Sequence, residues 1–386
     1  MLIHNKFLIV LILILTLLLL SVSQLAILAK EIIKIGVIGP MTGPCAQYGN
    51  DMKTAILLAQ EEINNAGGIN GNQVIFIIED DESNPSKSVS AAEKLCTKDE
   101  VLLVIGSYNS SCVLANMEVT KREKTPQIDP IGVATAITES GNEWICRNCA
   151  TNPMQVEQLT NYVFNNMKNL KRFAVIHENT DYGVGIMEEF IKNANNYPEV
   201  KVLTIEAYNP GDTDFYAQLT KLKELNVDGI QIGGNLTEGT QIVRQAKELG
   251  LDVQFFGMGG LSTYDFEELV GDANDGMITS SYFETDTDNP DAKKFIEAYK
   301  NKFSKDPNLF SAATYEAAYL AQHARKNANY SKDLTIWRKN VKDKLMAIKN
   351  LPGVQGPTTF DEKGQADKKV LIIQWVEGGS KKILYP

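Results

Sequence analysis

VLLVIGSYNSSCVLAN, residues 101–116, is the stretch whose reading decides the fold. Its first five residues form a continuous run of Val, Leu and Ile, the composition of a parallel strand covered on both faces. Gly106 ends the run, and Ser107, Tyr108, Asn109, Ser110 and Ser111 precede the return of apolar periodicity. Ser or Asn just ahead of such a segment usually caps a helix, so the stretch reads as strand, glycine turn and helix start. A helix start offers free backbone N–H groups and the positive end of a dipole, here beside several hydroxyls, which makes it a seat for a carboxylate. A Ser-Ser pair alone is equally served by capping; the neighbouring motifs favour binding.

Upstream, residues 32–38 (IIKIGVI) read as a strand running into the glycine- and proline-rich loop GPMTGPCAQYGN, which carries Thr42, Gln47 and Tyr48. A helix at 51–65, a strand at 74–78 ending in the acidic turn Glu79, Asp80, Asp81, and a helix at 86–95 follow. Downstream come a strand at 127–130 and the small-residue loop Gly132, Val133, Ala134, Thr135 and Ala136. A second round then begins, with helices at 155–167, 184–195, 215–225 and 238–249 alternating with strands at 172–176, 201–208, 229–232 and 254–257. Strands and helices alternating through short loops predict an open parallel sheet, so the chain is expected to be α/β with two doubly wound sheets. Ligands of such sheets sit where strands deliver the chain to polar loops at their C-terminal edge, and the cleft between two sheets is the natural site. Residues 277–283 and 306–313 read as crossings back to the first half, and 370–376 as a last strand.

Composition narrows the function. A formal charge of -10 argues against nucleic acid as a partner. Lys6 followed by the apolar run 7–20, with small residues such as Ala26 and Ala29 near its end, marks residues 1–29 as an export signal or N-terminal anchor, and the small residues favour cleavage. What remains exceeds one typical domain and suits two. The five cysteines, Cys45, Cys96, Cys112, Cys146 and Cys149, are an odd set, and the lone CxxC at 146–149 points to a disulfide or buried thiols rather than a metal. After the signal only His177 and His323 remain; no HExxH or GxSxG is present and Ser110 has no base in view, so no enzyme is expected. The acidic turn lacks the ligand spacing of a calcium loop, and neither cofactor nor metal is expected. Sequons begin at Asn109, Asn235 and Asn329, the first two in expected cleft loops.

In order, IKIGVIGPMTGPCAQYGNDM, EEINNAGGINGNQV, EDDESNPSKSVSAAEKL, VIGSYNSS, HENTDYGVG, YNPGDTDFYAQLTKLKELNVDGI and GPTTFDEKGQ resemble segments of the extracytoplasmic solute-binding proteins of ABC importers of the branched-chain amino acid type. The resemblance covers residues 34–376. It implies a Venus-flytrap protein of the type I periplasmic binding fold, its lobes joined by three crossover segments. Lobe 1 is placed at 31–153 plus 284–362 and lobe 2 at 154–283 plus 363–386. Transferred to this sequence, the family's carboxylate seat falls on Ser110 and Thr135, with Ser111, Val133 and Ala134 in the same shell. Tyr48 and Phe310 fall at aromatic walls and Tyr182 at a tyrosine from the opposite lobe. Asn235 and Leu236 stand where tyrosines are frequent. Gly259 stands at the acidic acceptor for the ligand ammonium, while Glu238 and Asp265 are near in sequence but off that position. A buried ammonium without a carboxylate is costly, which keeps amides, ureas and organic acids open beside amino acids. The resemblance further implies a monomer delivering a small ligand to permease subunits; a sensor ectodomain of the same fold is the alternative.

Overall fold

The computed structural model describes residues 32–385, so residues 1–29, read as an export signal or anchor, lie outside the described residues. Two sheets organise it. The first contains β1 (Ile33–Gly39), β2 (Val74–Asp80), β3 (Val104–Ile105), β4 (Gln127–Asp129) and β5 (Ile145–Arg147) in the order β2-β1-β3-β4-β5, with every pairing parallel. β1 is buried at all but one position because helices cover both of its faces, as its unbroken Ile/Val composition requires. Those helices are α1 (Ala46–Asn65), α2 (Pro85–Glu93), α3 (Ser110–Arg122) and the short α4 (Ala136–Glu139). Gly106 closes β3 with φ +125, and an added Cβ would lie 2.1 Å from the Ile38 carbonyl oxygen, so only glycine fits there.

The second sheet contains β6 (Arg172–Glu178), β7 (Lys201–Tyr208), β8 (Gly229–Gly233), β9 (Gln254–Met258), β10 (Ile278–Ser281), β11 (Leu371–Val376) and β12 (Ser380–Tyr385), in the order β12-β11-β10-β9-β8-β6-β7. α5 (Asn152–Asn166), α6 (Asp181–Ala194), α7 (Tyr216–Glu224), α8 (Leu236–Glu248) and α9 (Tyr264–Val270) belong to this half. α10 (Pro290–Phe303), α11 (Leu309–Asn327) and α12 (Leu334–Met346) return to the first half, where α10 and α11 pack on α1. Among the described residues no helix is long and apolar enough to cross a membrane.

The α/β architecture with two parallel-dominated sheets agrees with the sequence reading; three details differ. Residues 306–313 are not a crossing: Asn308 caps α11 through a capping box with Ser311, and both Lys305 and Asn308 reach Asp51 of α1. The final passage lies between α12 and β11. The strand read at 370–376 is not the last: β11 runs antiparallel to β10 and turns into β12 through glycines at 378 and 379. The strand read at 101–105 is confined to Val104–Ile105. The cysteines, all five free and buried, match the buried-thiol alternative of the sequence reading.

Candidate ligand-binding site

A cavity of about 310 Å³ opens between the two sheets, within the range of small-molecule sites. Its wall comes from loops just beyond strand C-termini: Cys45 after β1, Glu82 after β2, Tyr108 to Ser111 after β3, Val133 after β4, Glu178 and Tyr182 at and after β6, Asn235 after β8, Gly259 after β9 and Tyr282 after β10. Parallel strands aim these ends in one direction, which is why residues far apart in sequence converge here. Among the described residues no Lys, Arg or His lines the cavity.

At the first-sheet end, no side chain caps α3: Asn109 holds the N-cap position in extended backbone, and its amide instead contacts the Cys45 sulfur at 3.8 Å. The capping-only account of the serines therefore fails, and the positive end of α3 is left facing the cavity. Ser110 Oγ accepts hydrogen bonds from the N–H groups of Val133 (3.1 Å) and Ala134 (3.2 Å). Both lone pairs are thereby taken, and the hydroxyl proton is the group left to donate. Ser111 Oγ donates to Asp181 Oδ2 at 2.6 Å, tying the start of α3 to the start of α6 across the cleft.

The opposite end is acidic. Glu178, the last residue of β6, is buried, and its Oε2 accepts from Asn235 Nδ2 at 2.8 Å. Burial, reinforced by the neighbouring Glu238 charge, pushes the Glu178 carboxyl up to about 7. Glu238, in the first turn of α8, is also buried on the cavity wall and accepts from the Gly211 N–H at 2.8 Å. Glu82 is at the exposed rim and paired with Lys87. Asn235 joins the two ends by also accepting from Tyr108 Oη at 2.9 Å. Behind this wall Tyr48 stacks on Tyr108 with centroids 4.5 Å apart, and Phe310 packs edge-on against both.

Of the residues expected from sequence, Ser110, Ser111, Val133, Tyr182, Asn235, Gly259 and Phe310 line the cavity. Tyr48 is fully buried one layer behind, its hydroxyl accepting from the Leu236 N–H at 3.2 Å. Ala134 stands on the loop as the second N–H donor to Ser110. Thr135 is a correction: it is exposed and off the cavity, because the loop turns into α4 at that residue and carries the side chain outward. Gly259 has φ +60, and an added Cβ would come within 3.0 Å of Tyr182 Oη, so Tyr182 occupies the space an acidic side chain would need.

Sequence reasoning missed Glu178 and set Glu238 off the position of the ammonium acceptor, whereas Glu238, in the first turn of α8, lines the cavity. The available signal was position, since Glu178 ends a buried strand immediately before the Thr180 cap of α6. Asp265 is not part of the site. His177 is a buried strand-end residue bonded through Nδ1 to the Glu178 carbonyl; in the acidic turn Asp80 accepts from Thr42 at the surface and the buried Asp81 accepts from Ser88. Among the described residues no group of side chains is arranged to hold a metal.

Known proteins share this organisation. The model of the periplasmic binding protein family matches residues 32–380. A Leucine-, isoleucine-, valine-, threonine-, and alanine-binding protein of Pseudomonas aeruginosa is 35% identical over 75% of this chain and 77% of its own length. The Leu/Ile/Val-binding protein BraC3 of Rhizobium johnstonii is 30% identical over 91% of this chain and 94% of its own. Among solved structures, the branched-chain amino acid transporter substrate binding protein LivJ of Streptococcus pneumoniae, in complex with isoleucine, superposes with TM-score 0.84 at 28% identity, covering 92% of this chain and 100% of LivJ. With sheet order, interlobe cavity and near full-length matches in agreement, the chain belongs to the periplasmic binding protein family.

Proposed function

We propose that the protein is the extracytoplasmic substrate-binding component of an ABC importer, taking an α-amino acid with an aliphatic side chain into the interlobe cavity. The observation that carries this is the polarity of the cavity. One lobe presents hydroxyl and helix N-terminal donors at Ser110, and the other presents the buried carboxylates Glu178 and Glu238. A zwitterion has the complementary charges, carboxylate toward α3 and ammonium toward β6 and α8. The ammonium partner missing at Gly259 is thus supplied from two other loops. Ile131, Val133, Met258, Tyr282 and Phe310 form the apolar remainder of the wall, suited to a branched aliphatic side chain. The names of the relatives point the same way.

Because the two ends come from different lobes, a bound ligand stabilises the closed arrangement, and that state is the one presented to the permease. In this reading residues 1–29 direct export, the lobes divide at 31–153 plus 284–362 and 154–283 plus 363–386, and the protein acts as a monomer. The test is calorimetry and thermal shift with L-leucine, L-isoleucine, L-valine, L-leucinamide and 4-methylpentanoate. Ligand at a hundred times its Kd adds about 2.7 kcal/mol of stability, a shift of a few degrees. Stabilisation by the amino acids and not by the amine-free acid supports the proposal. Stabilisation only by 4-methylpentanoate refutes the amino-acid assignment.

A further inference from the structure

We propose that Arg147 is the positioning and polarising residue that makes the Ser110 end of the cavity a carboxylate seat, although its side chain does not line the cavity; this rests on the amino-acid reading above. The cavity wall holds carboxylates and, among the described residues, no cationic side chain, so positive potential for a ligand carboxylate comes from the start of α3 and from charge behind the wall. Arg147, at the end of β5, is fully buried behind the loop that follows β4. Its Nη1 donates to the carbonyls of Gly132 (3.1 Å) and Ala134 (2.6 Å), its Nη2 to Thr138 Oγ1 (2.9 Å) and its Nε to Gln365 Oε1 (2.6 Å). No carboxylate among the described residues forms an ion pair with it. Asp129 is the carboxyl that bears most on it, and burial pushes that carboxyl up to about 7; it spends its Oδ1 on the N–H groups of Ile131 (3.0 Å) and Gly132 (2.7 Å) and leaves Oδ2 without a partner. A buried guanidinium set against neutral carbonyls is an uncommon arrangement, since buried charges are ordinarily paired.

The bonding pattern shows where that charge acts. The peptide unit whose carbonyl belongs to Gly132 carries the N–H of Val133, so one group accepts from Arg147 and donates to Ser110 Oγ. The next peptide unit, with the carbonyl of Val133 and the N–H of Ala134, accepts from the Asn152 N–H at 2.9 Å, in the first turn of α5, and also donates to Ser110 Oγ. Each peptide that holds Ser110 is therefore polarised from behind, one by a guanidinium and the other by a helix N-terminus. Hydrogen bonds linked in this way strengthen one another. The Ser110 hydroxyl, both lone pairs engaged, is turned into an oriented donor toward the cavity, beside the uncapped start of α3.

The test compares affinities for L-leucine and L-leucinamide, which differ only in the carboxylate, by calorimetry at pH 7 on the purified protein, with 4-methylpentanoate as a third probe. Arg147→Gln is expected to lower the leucine-to-leucinamide affinity ratio at least tenfold, and Arg147→Lys, which keeps the charge, to lower it less. Asp129→Asn keeps an oxygen for the two N–H groups but removes the charge opposing the guanidinium, and is expected to raise the ratio. A merely structural Arg147 weakens both ligands in parallel; an unchanged ratio overturns the proposal. Should Arg147→Gln not fold, Asp129→Asn decides: a ratio that stays level or falls overturns it. Wild-type protein that binds leucinamide as tightly as leucine overturns the Arg147 role and leaves the importer reading standing. Protein that binds 4-methylpentanoate but neither amine overturns the amino-acid assignment, and the Arg147 role then stands only if Arg147→Gln loses that acid. Binding of none of the three overturns both.

Discussion

Replacing Glu178 with Gln separates ligand binding from stability because the two respond with opposite sign. Gln retains an oxygen for Asn235 Nδ2 and the same shape, but it cannot be charged. The wild-type carboxyl is held at about 7 by burial and then by Glu238, against an ordinary value of 4.5. A carboxyl raised on folding stabilises the native state while it stays protonated. That contribution is complete below pH 4.5 and is lost as pH rises through 7, amounting to about 3 kcal/mol in the ligand-free protein. Glu178→Gln is never charged and escapes the loss. The ligand-free variant is therefore expected to match wild type near pH 4 and to melt several degrees higher at pH 8.

Its binding of L-leucine moves the other way. Loss of one charge-assisted hydrogen bond costs roughly 1.5–3 kcal/mol, about 10- to 150-fold in Kd. In the wild type an ammonium ligand must meet the ionised carboxylate, so below pH 7 binding releases a proton. Affinity then rises up to tenfold per pH unit between about pH 5 and 7 and levels off above. The variant profile is expected to be flatter over the same range. Calorimetry across pH 5–8 together with thermal melts gives both readouts. Wild-type affinity in the variant, or a wild-type slope retained by it, refutes the assignment of Glu178 as the ammonium partner.

Ser110→Ala removes the cavity donor and strands the N–H groups of Val133 and Ala134. It is expected to weaken leucine at least tenfold by calorimetry and to cost about 1–3 kcal/mol of stability in urea melts. Thr135→Ala, at an exposed position off the cavity, is expected to leave leucine affinity within about twofold, since surface changes usually stay within ±0.5 kcal/mol. Gly259→Ala meets both φ +60 and the Tyr182 hydroxyl; an expected loss of about 1 kcal/mol or more should appear in melts alongside weaker binding. The five buried thiols, with Cys45 held up to about 11 by burial, are expected to react with an aromatic disulfide reagent only slowly in the native state and all together in guanidinium.

The α/β fold, its two sheets and the loops that carry the site were legible in the chain, because buried parallel strands demand unbroken apolar runs and the turns demand Gly, Ser and Asn at set places. The run 101–105, of which 104–105 form β3, and the serines after it, which line the cavity, were read as a strand and its polar edge. What local pattern did not reveal was where each loop side chain points. Thr135 and Ala134 are neighbours in sequence, yet the turn into α4 sends one outward and leaves the other's N–H on Ser110. Glu178 read as the end of a strand, since nothing within a few residues tells that its carboxylate is buried beside Asn235 and Glu238, which come from 57 residues further on or more. Arg147 lay inside the CxxC and drew notice only through its cysteines, because a guanidinium acquires its role from the carbonyls it meets, and those belong to another loop. Composition and periodicity act along the chain and determine the elements and their order. The charge at a site depends on distance through space and on exclusion of water, and those are decided only when strands remote in sequence bring their ends together.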